Sequence, residues 1–179
     1  MYQKIKIHDK HFSVFIKNTK ILKEIKRIAS ELNARLKDND VIFLIALNGS
    51  FMFASELLKH IDIICEISFI KVSSYSGKNT TGNVKNVIGI NENLKNKTVV
   101  IIEDIVDTGI TAEFLMNEIS KYEPNDVILT TLFFKPSCFK KNVKIDYVGM
   151  EIPDDFIIGF GLDYNGLGRN LNDIYKLTD

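Results

Sequence analysis

The sequence predicts an α/β fold, a mostly parallel sheet flanked by helices. Short continuous runs of branched apolar residues, as in strands buried on both faces, alternate with stretches whose apolar residues fall at helical spacing. Three loops of unusual composition, 47–50, 73–83 and 104–111, also leave the ends of such runs, where parallel sheets bind their ligands.

Asn18 to Lys37 carries Ile21, Leu22, Ile25, Ile28, Ala29, Leu32 and Leu36 as an apolar stripe with charges between, a helix that Thr19 or Asn18 can cap. Val41 to Leu47 is a doubly buried strand, Asn48-Gly49-Ser50 breaks it, and Phe51 to His60 reads as a helix. Ile63 to Val72 is the next strand. Ser73 to Asn83 is a polar stretch with Gly77 and Gly82, and Val84 to Ile90 reads as a strand extending from it. Thr98 to Glu103 is a buried strand, Thr111 to Tyr122 a helix and Val127 to Phe134 a strand; Asp146–Met150 and Phe156–Phe160 complete the set. With no internal repeat, low-complexity stretch or long linker in 179 residues, a single domain over 1–179 is expected.

Charge narrows the function classes. Lys plus Arg and Asp plus Glu number 23 each, so the net charge is zero. A nucleic-acid or membrane-surface partner normally needs a basic excess, and neither is expected. Cys65 and Cys138 stand far apart without a close Cys or His, which gives neither a disulfide framework nor thiolate metal spacing. Cys65 reads as a small buried hydrophobe within an apolar run. Met1 to Lys10 lacks the apolar core of a secretory signal and no stretch is long enough to span a bilayer, so a cytoplasmic protein is expected.

The most informative stretch is Val99-Val-Ile-Ile-Glu-Asp-Ile-Val-Asp-Thr-Gly-Ile-Thr111. Apolar residues run into Glu103 and Asp104, and Asp107-Thr-Gly-Ile-Thr111 leads into a helix. Small and hydroxylated residues at a helix N-terminus expose backbone N–H groups that bind phosphate. Alone, Asp-Thr-Gly favours the plainer reading of a helix capped by Asp107 or Thr108. Two adjacent carboxylates at the end of an apolar strand are costly unless a cation or hydrogen-bond donors meet them, and a ribose diol or hydrated magnesium would do so. The lysine of a P-loop NTPase is absent.

Val99–Ala112 resembles the phosphoribosyl-diphosphate binding motif of type I phosphoribosyltransferases: an apolar strand, two acids, Asp-Thr-Gly, then Thr. From about Leu22 onward, further stretches resemble the hypoxanthine-guanine members of that family. These are Leu47–Ala54, Ser74-Tyr75, Lys135-Pro136, Glu151–Gly159, and Leu162-Asp-Tyr-Asn165 through Arg169. Taken singly, Phe156 would be core, Lys135 a solvated charge, and Asp163 with Arg169 a surface ion pair. Their common order and spacing favour the family reading.

The resemblance implies a type I phosphoribosyltransferase fold with a small hood and a mobile lid loop that Ser74 and Tyr75 begin. It implies purine salvage: transfer of a 5-phosphoribosyl group from phosphoribosyl diphosphate to hypoxanthine, and to guanine, giving IMP or GMP and pyrophosphate. By resemblance, Asp107 is the proton acceptor for the base and Lys135 the donor to its 6-oxo group. Phe156 stacks on the base and Ile157 meets it through backbone. Thr108, Gly109, Ile110 and Thr111 hold the 5′-phosphate, while Asn48, Gly49 and Arg169 hold pyrophosphate. Glu103 and Asp104 hold ribose hydroxyls or the waters of Mg²⁺, and Asp163 is a further metal ligand. Many relatives carry lysine at the place of Asn48. The family habit is a homo-oligomer, dimer or tetramer. The alternatives are a phosphoribosyltransferase for xanthine or adenine, or a non-catalytic regulator that retains the phosphoribosyl site.

Overall fold

Branched, doubly buried runs do form a parallel sheet. In the computed structural model, which describes residues 4–74 and 84–178, five parallel strands lie in the order β4 (Glu66–Ser74), β3 (Val41–Leu47), β6 (Thr98–Val106), β7 (Asp126–Phe134) and β8 (Tyr147–Glu151). The strand β5 (Val84–Ile88) adds antiparallel to the β4 edge. Helices α1 (Asn18–Leu36) and α2 (Phe51–Leu58) cover one face, packing Ile21, Ile25, Ile28, Leu32, Phe53 and Leu57 on alternate sheet residues such as Phe43, Ile45 and Val100. Helix α3 (Ile110–Ser120) covers the other, with Ala112, Leu115 and Ile119 against Ile42, Leu44, Val99 and Ile101. No helix among the described residues is long and apolar enough to cross a membrane.

Strand order locates the site. From β3 the chain moves outward to β4, then returns to the other flank of β3 as β6. The loops after β3 and β6 therefore leave neighbouring strand ends in opposite directions, which opens a crevice at the carboxyl edge.

Several expectations are corrected. A hairpin of β1 (Lys4–Ile7) and β2 (Lys10–Ile16) precedes α1, and with β9 (Ile157–Ile158) and β10 (Ile174–Leu177) it forms a separate antiparallel sheet, the hood. The expected strand Phe156–Phe160 is thus two residues long and belongs to the hood. Strand β4 starts at Glu66 instead of Ile63. Strand β6 runs on past Glu103 to Val106, because its ladder with β7 continues through Ile105–Phe133 and Val106–Phe134. Neither Asn18 nor Thr19 caps α1 by its side chain: Lys17 is the cap residue, and the Asn18 N–H donates to Asp173 Oδ1 at 2.8 Å from the far end of the chain. Cys65 is half-buried against the larger core cluster, and burial pushes its thiol up.

Candidate active site

Strand β6 delivers two acids to the crevice. Glu103 is 5% exposed and its Oε1 has no hydrogen-bond partner. Burial, with the adjacent Asp104 charge second, pushes its carboxyl well above the ordinary value. Burial likewise pushes Asp104 up to about 6, against the backbone hydrogen bonds, chiefly from Ile105, that pull it down. Buried carboxyls raised in this way are a mark of functional sites.

Beyond β6 the chain turns at Asp107–Gly109 into α3. Gly109 has φ +84°, and a Cβ there would meet the Phe139 ring and the Lys141 side chain. The turn thus needs glycine for its conformation and for the loop folded over it, which is pinned by Lys140 N–H donating to Thr108 O at 3.1 Å. No side chain makes a cap bond from the Gly109 cap position; Thr108 Oγ1 lies 3.5 Å from Ile110 N. Glu103 to Ala112 line a cavity of about 260 Å³ at this helix start, and all four residues expected at the 5′-phosphate border it.

A second cavity, about 190 Å³, brings together residues from four parts of the chain: Asp104, Asp107, Lys135, Phe156, Ile157, Asp163 and Arg169. Backbone pins explain the convergence. Lys135 N–H donates to Val106 O at 3.0 Å, which sets Lys135 beside Asp107, and its ammonium is 3.5 Å from Asp107 Oδ2. Phe156 is 46% exposed, so it is not a core residue; its ring rests on Phe12 and Tyr164, at centroid distances of 6.3 and 5.8 Å. Arg169 Nη1 donates to Gly161 O at 2.7 Å, and Nη2 lies 2.6 Å from Asp163 Oδ1, so that ion pair faces a cavity.

The Asn48-Gly49 turn enters the same crevice after a cis Leu47–Asn48 peptide. A Cβ on Gly49 would coincide with Asp104 Oδ2, and one on Gly161 would overlap the Gly49 carbonyl. Only a bare backbone passes between Asp104 and the 161 segment. Ser74 ends β4, and Tyr75, with the expected lid through Asn83, lies outside the described residues.

The expected metal acids divide between the cavities. Glu103 and Asp104 line the first, and Asp104 with Asp163 the second. They offer only oxygen donors, including the partnerless Glu103 Oε1, which suits Mg²⁺ bound largely through its own waters. Among the described residues, the three ligating side chains whose atoms lie within 4.8 Å of one another are Asp107, Cys138 and Asp154. The cation already there is Lys135, which donates to Asp154 Oδ1 at 3.1 Å. Sequence reasoning passed over Asp154 and Cys138; the only available signal was that Asp154 lies in the Glu151–Gly159 stretch.

Known proteins resemble this chain in sequence and in fold. Residues 15–165 match the family model described as the phosphoribosyl transferase domain. The chain is 35% identical over 159 residues to a hypoxanthine-guanine phosphoribosyltransferase of Bacillus subtilis, covering 88% of each. It is 35% identical over 167 residues to a hypoxanthine phosphoribosyltransferase of Escherichia coli, covering 92% of this chain and 94% of that one. Among solved structures, a Staphylococcus aureus hypoxanthine phosphoribosyltransferase superposes with a TM-score of 0.88 at 35% identity, covering 93% of this chain and 91% of the other. A Bacillus anthracis hypoxanthine-guanine phosphoribosyltransferase gives 0.87 at 32%, covering 98% and 99%.

Proposed function

Since the chain belongs to the hypoxanthine-guanine phosphoribosyltransferase family, we propose that it serves purine salvage, moving a 5-phosphoribosyl group from phosphoribosyl diphosphate to hypoxanthine and to guanine, with release of pyrophosphate. The observation that carries this reading is the 190 Å³ cavity in which a carboxylate, a buried ammonium and an aromatic face converge. A 6-oxopurine needs all three: an acceptor for its ring N–H, a donor to its 6-oxo group and a surface to stack on.

Each residue then has a task. Phe156 stacks on the base, braced by Phe12 and Tyr164. Lys135 donates to the 6-oxo oxygen, and Asp107 takes the base's proton as the nitrogen attacks the anomeric carbon. The start of α3, Thr108 to Thr111, holds the 5′-phosphate through backbone N–H groups. Glu103 and Asp104 accept from the ribose hydroxyls. The Asn48-Gly49 backbone and Arg169 hold the departing pyrophosphate. Glu103, Asp104 and Asp163 would hold Mg²⁺ directly or through its waters, and the ion would supply charge neutralisation for the pyrophosphate. The whole of 1–179 acts as one domain in this reading. A homo-oligomer, dimer or tetramer, belongs to the same proposal, supported by the exposed Ile64, just before β4, and by Ile67 and Phe69 on one face of β4.

Base choice tests the assignment. Lysine carries only donors, so it pairs with an oxo group and faces adenine's amino group donor to donor. An unpaired buried polar group costs roughly 1–3 kcal/mol, about ten- to a hundredfold in kcat/KM. Steady-state assays with each base should show turnover of hypoxanthine and guanine and negligible use of adenine, with the margin narrowed in Lys135→Ala. Preference for adenine or a pyrimidine would overturn the reading of the base site.

A further inference from the structure

Lys135 is 6% exposed, so its charge needs anions at hand. Two carboxylates supply them, unequally. Asp154 Oδ1 accepts a hydrogen bond at 3.1 Å, whereas Asp107 Oδ2 is 3.5 Å away. The arrangement is built by backbone. Ile152 N–H donates to Phe134 O at 2.8 Å, which brings the Asp154 loop alongside Lys135 just as the Val106 carbonyl brings Asp107. Asp155, the next acid in the chain, is turned to Lys176 at 3.4 Å and takes no part. The Cys138 thiol borders both acids, and it, with Lys135 second, holds the Asp154 carboxyl below its ordinary value.

Lys135 and Asp107 are of use to a base only if they are not spent on each other. An ammonium with a single carboxylate neighbour closes on it as a compact pair. The base would then have to separate that pair before meeting either member. A second carboxylate on the ammonium removes this obstacle.

We propose that Asp154 is a positioning residue for base recognition: it holds the Lys135 ammonium off Asp107, leaving Lys135 to donate to the 6-oxo group and Asp107 to accept from the base. This rests on the base-site reading given above. Loss of the Asp154 carboxylate lets Lys135 close on Asp107, and the penalty falls on the base and not on phosphoribosyl diphosphate, whose expected contacts lie elsewhere.

The test is a double-mutant cycle on the full chain with Asp154→Asn, Asp154→Glu, Lys135→Ala and the double variant Lys135→Ala/Asp154→Asn. Asp154 is 66% exposed at its side chain, so these changes leave folding intact, which circular dichroism checks. Asp154→Asn should lower kcat/KM for hypoxanthine about five- to thirtyfold and leave the KM for phosphoribosyl diphosphate within about twofold. Asp154→Glu, still able to reach the ammonium, should restore most of the loss. With Lys135 already Ala there is nothing to hold, and Asp154→Asn should add less than about a twofold change. An equal loss in both backgrounds, or none in either, would overturn the proposal while a normal Lys135→Ala defect leaves the base site standing. Full activity of Lys135→Ala on hypoxanthine would instead remove the base-site reading, and this proposal with it.

Discussion

Replacing Glu103 by Gln should make the ligand-free protein more stable and its grip on phosphoribosyl diphosphate weaker. Glu103 is 5% exposed, one of its oxygens has no partner, and its neighbour is another acid. A buried carboxylate left without a partner costs on the order of 1–3 kcal/mol, more than the neutral amide that would replace it. Glutamine keeps the shape, removes the charge and ends the repulsion with Asp104. For a chain of this size 1 kcal/mol moves Tm by roughly 2–4 °C, so the midpoint should rise by roughly 2–12 °C near neutral pH. The pH dependence follows from the raised carboxyl. Its folded value lies well above 4.5, so the folded wild type binds the proton more tightly than the unfolded chain. Wild-type stability from this group is therefore fully present below pH 4.5 and lost as pH rises through the folded value. Glutamine does not titrate, so the variant's advantage should vanish near pH 4 and grow upward. Thermal melts across pH in chelator measure this directly. Phosphoribosyl diphosphate with Mg²⁺ should then raise the wild-type midpoint more than the variant's, as expected when a ligand binds the folded state more tightly. An unchanged midpoint at pH 7.5, or an advantage greatest in acid, would refute the assignment of Glu103 as a carboxyl held at a cost for its ligand.

The other predictions concern individual steps. Asp107→Asn keeps size and polarity but loses the proton acceptor; kcat should fall about 10²–10⁴-fold with folding intact, and a loss below about threefold would return Asp107 to a structural turn. Activity should disappear on exhaustive chelation and return with Mg²⁺ or Mn²⁺; full turnover without divalent metal would remove Glu103, Asp104 and Asp163 as ligands. Asn48→Lys should tighten pyrophosphate product inhibition at low salt with base preference unchanged, and a changed base preference would mean that the 47–50 loop serves the base.

The parts of the fold legible in the sequence share a cause: their signal is local. Doubly buried strands announce themselves as runs of branched apolar residues, and α1 as a 3.6-residue stripe, because burial on those faces favours apolar side chains. The hood was implied only by resemblance. Lys4–Ile7 alternates lysine with isoleucine as a strand does, but the sheet joins residues 4–16 to 157–177, with Ile157–Ile158 on Tyr175 and Lys176, and no local period shows such a pairing. The cap of α1 was missed for the same reason, since Asp173 supplies it from 155 positions away.

The site divides along the same line. Glu103 to Thr111 could be read because one strand and one helix start carry the whole phosphate loop. Gly49 could be noticed but not explained, since what forbids a side chain there is Asp104 on another strand and the chain near Gly161. Lys135 could be singled out only by resemblance, and the acid that holds it not at all. Asp154 sits 19 positions on, in an acidic pair of which the neighbouring Asp155 serves a different lysine. Composition cannot tell those two aspartates apart. Their separation is set by two backbone hydrogen bonds at sheet ends, Lys135 to Val106 and Ile152 to Phe134, which convert three distant carboxylate and ammonium positions into one cluster. Polar side chains at a sheet's carboxyl edge are therefore chosen by the register of the sheet, and a function that depends on how three charges share a space becomes visible only once that register is known.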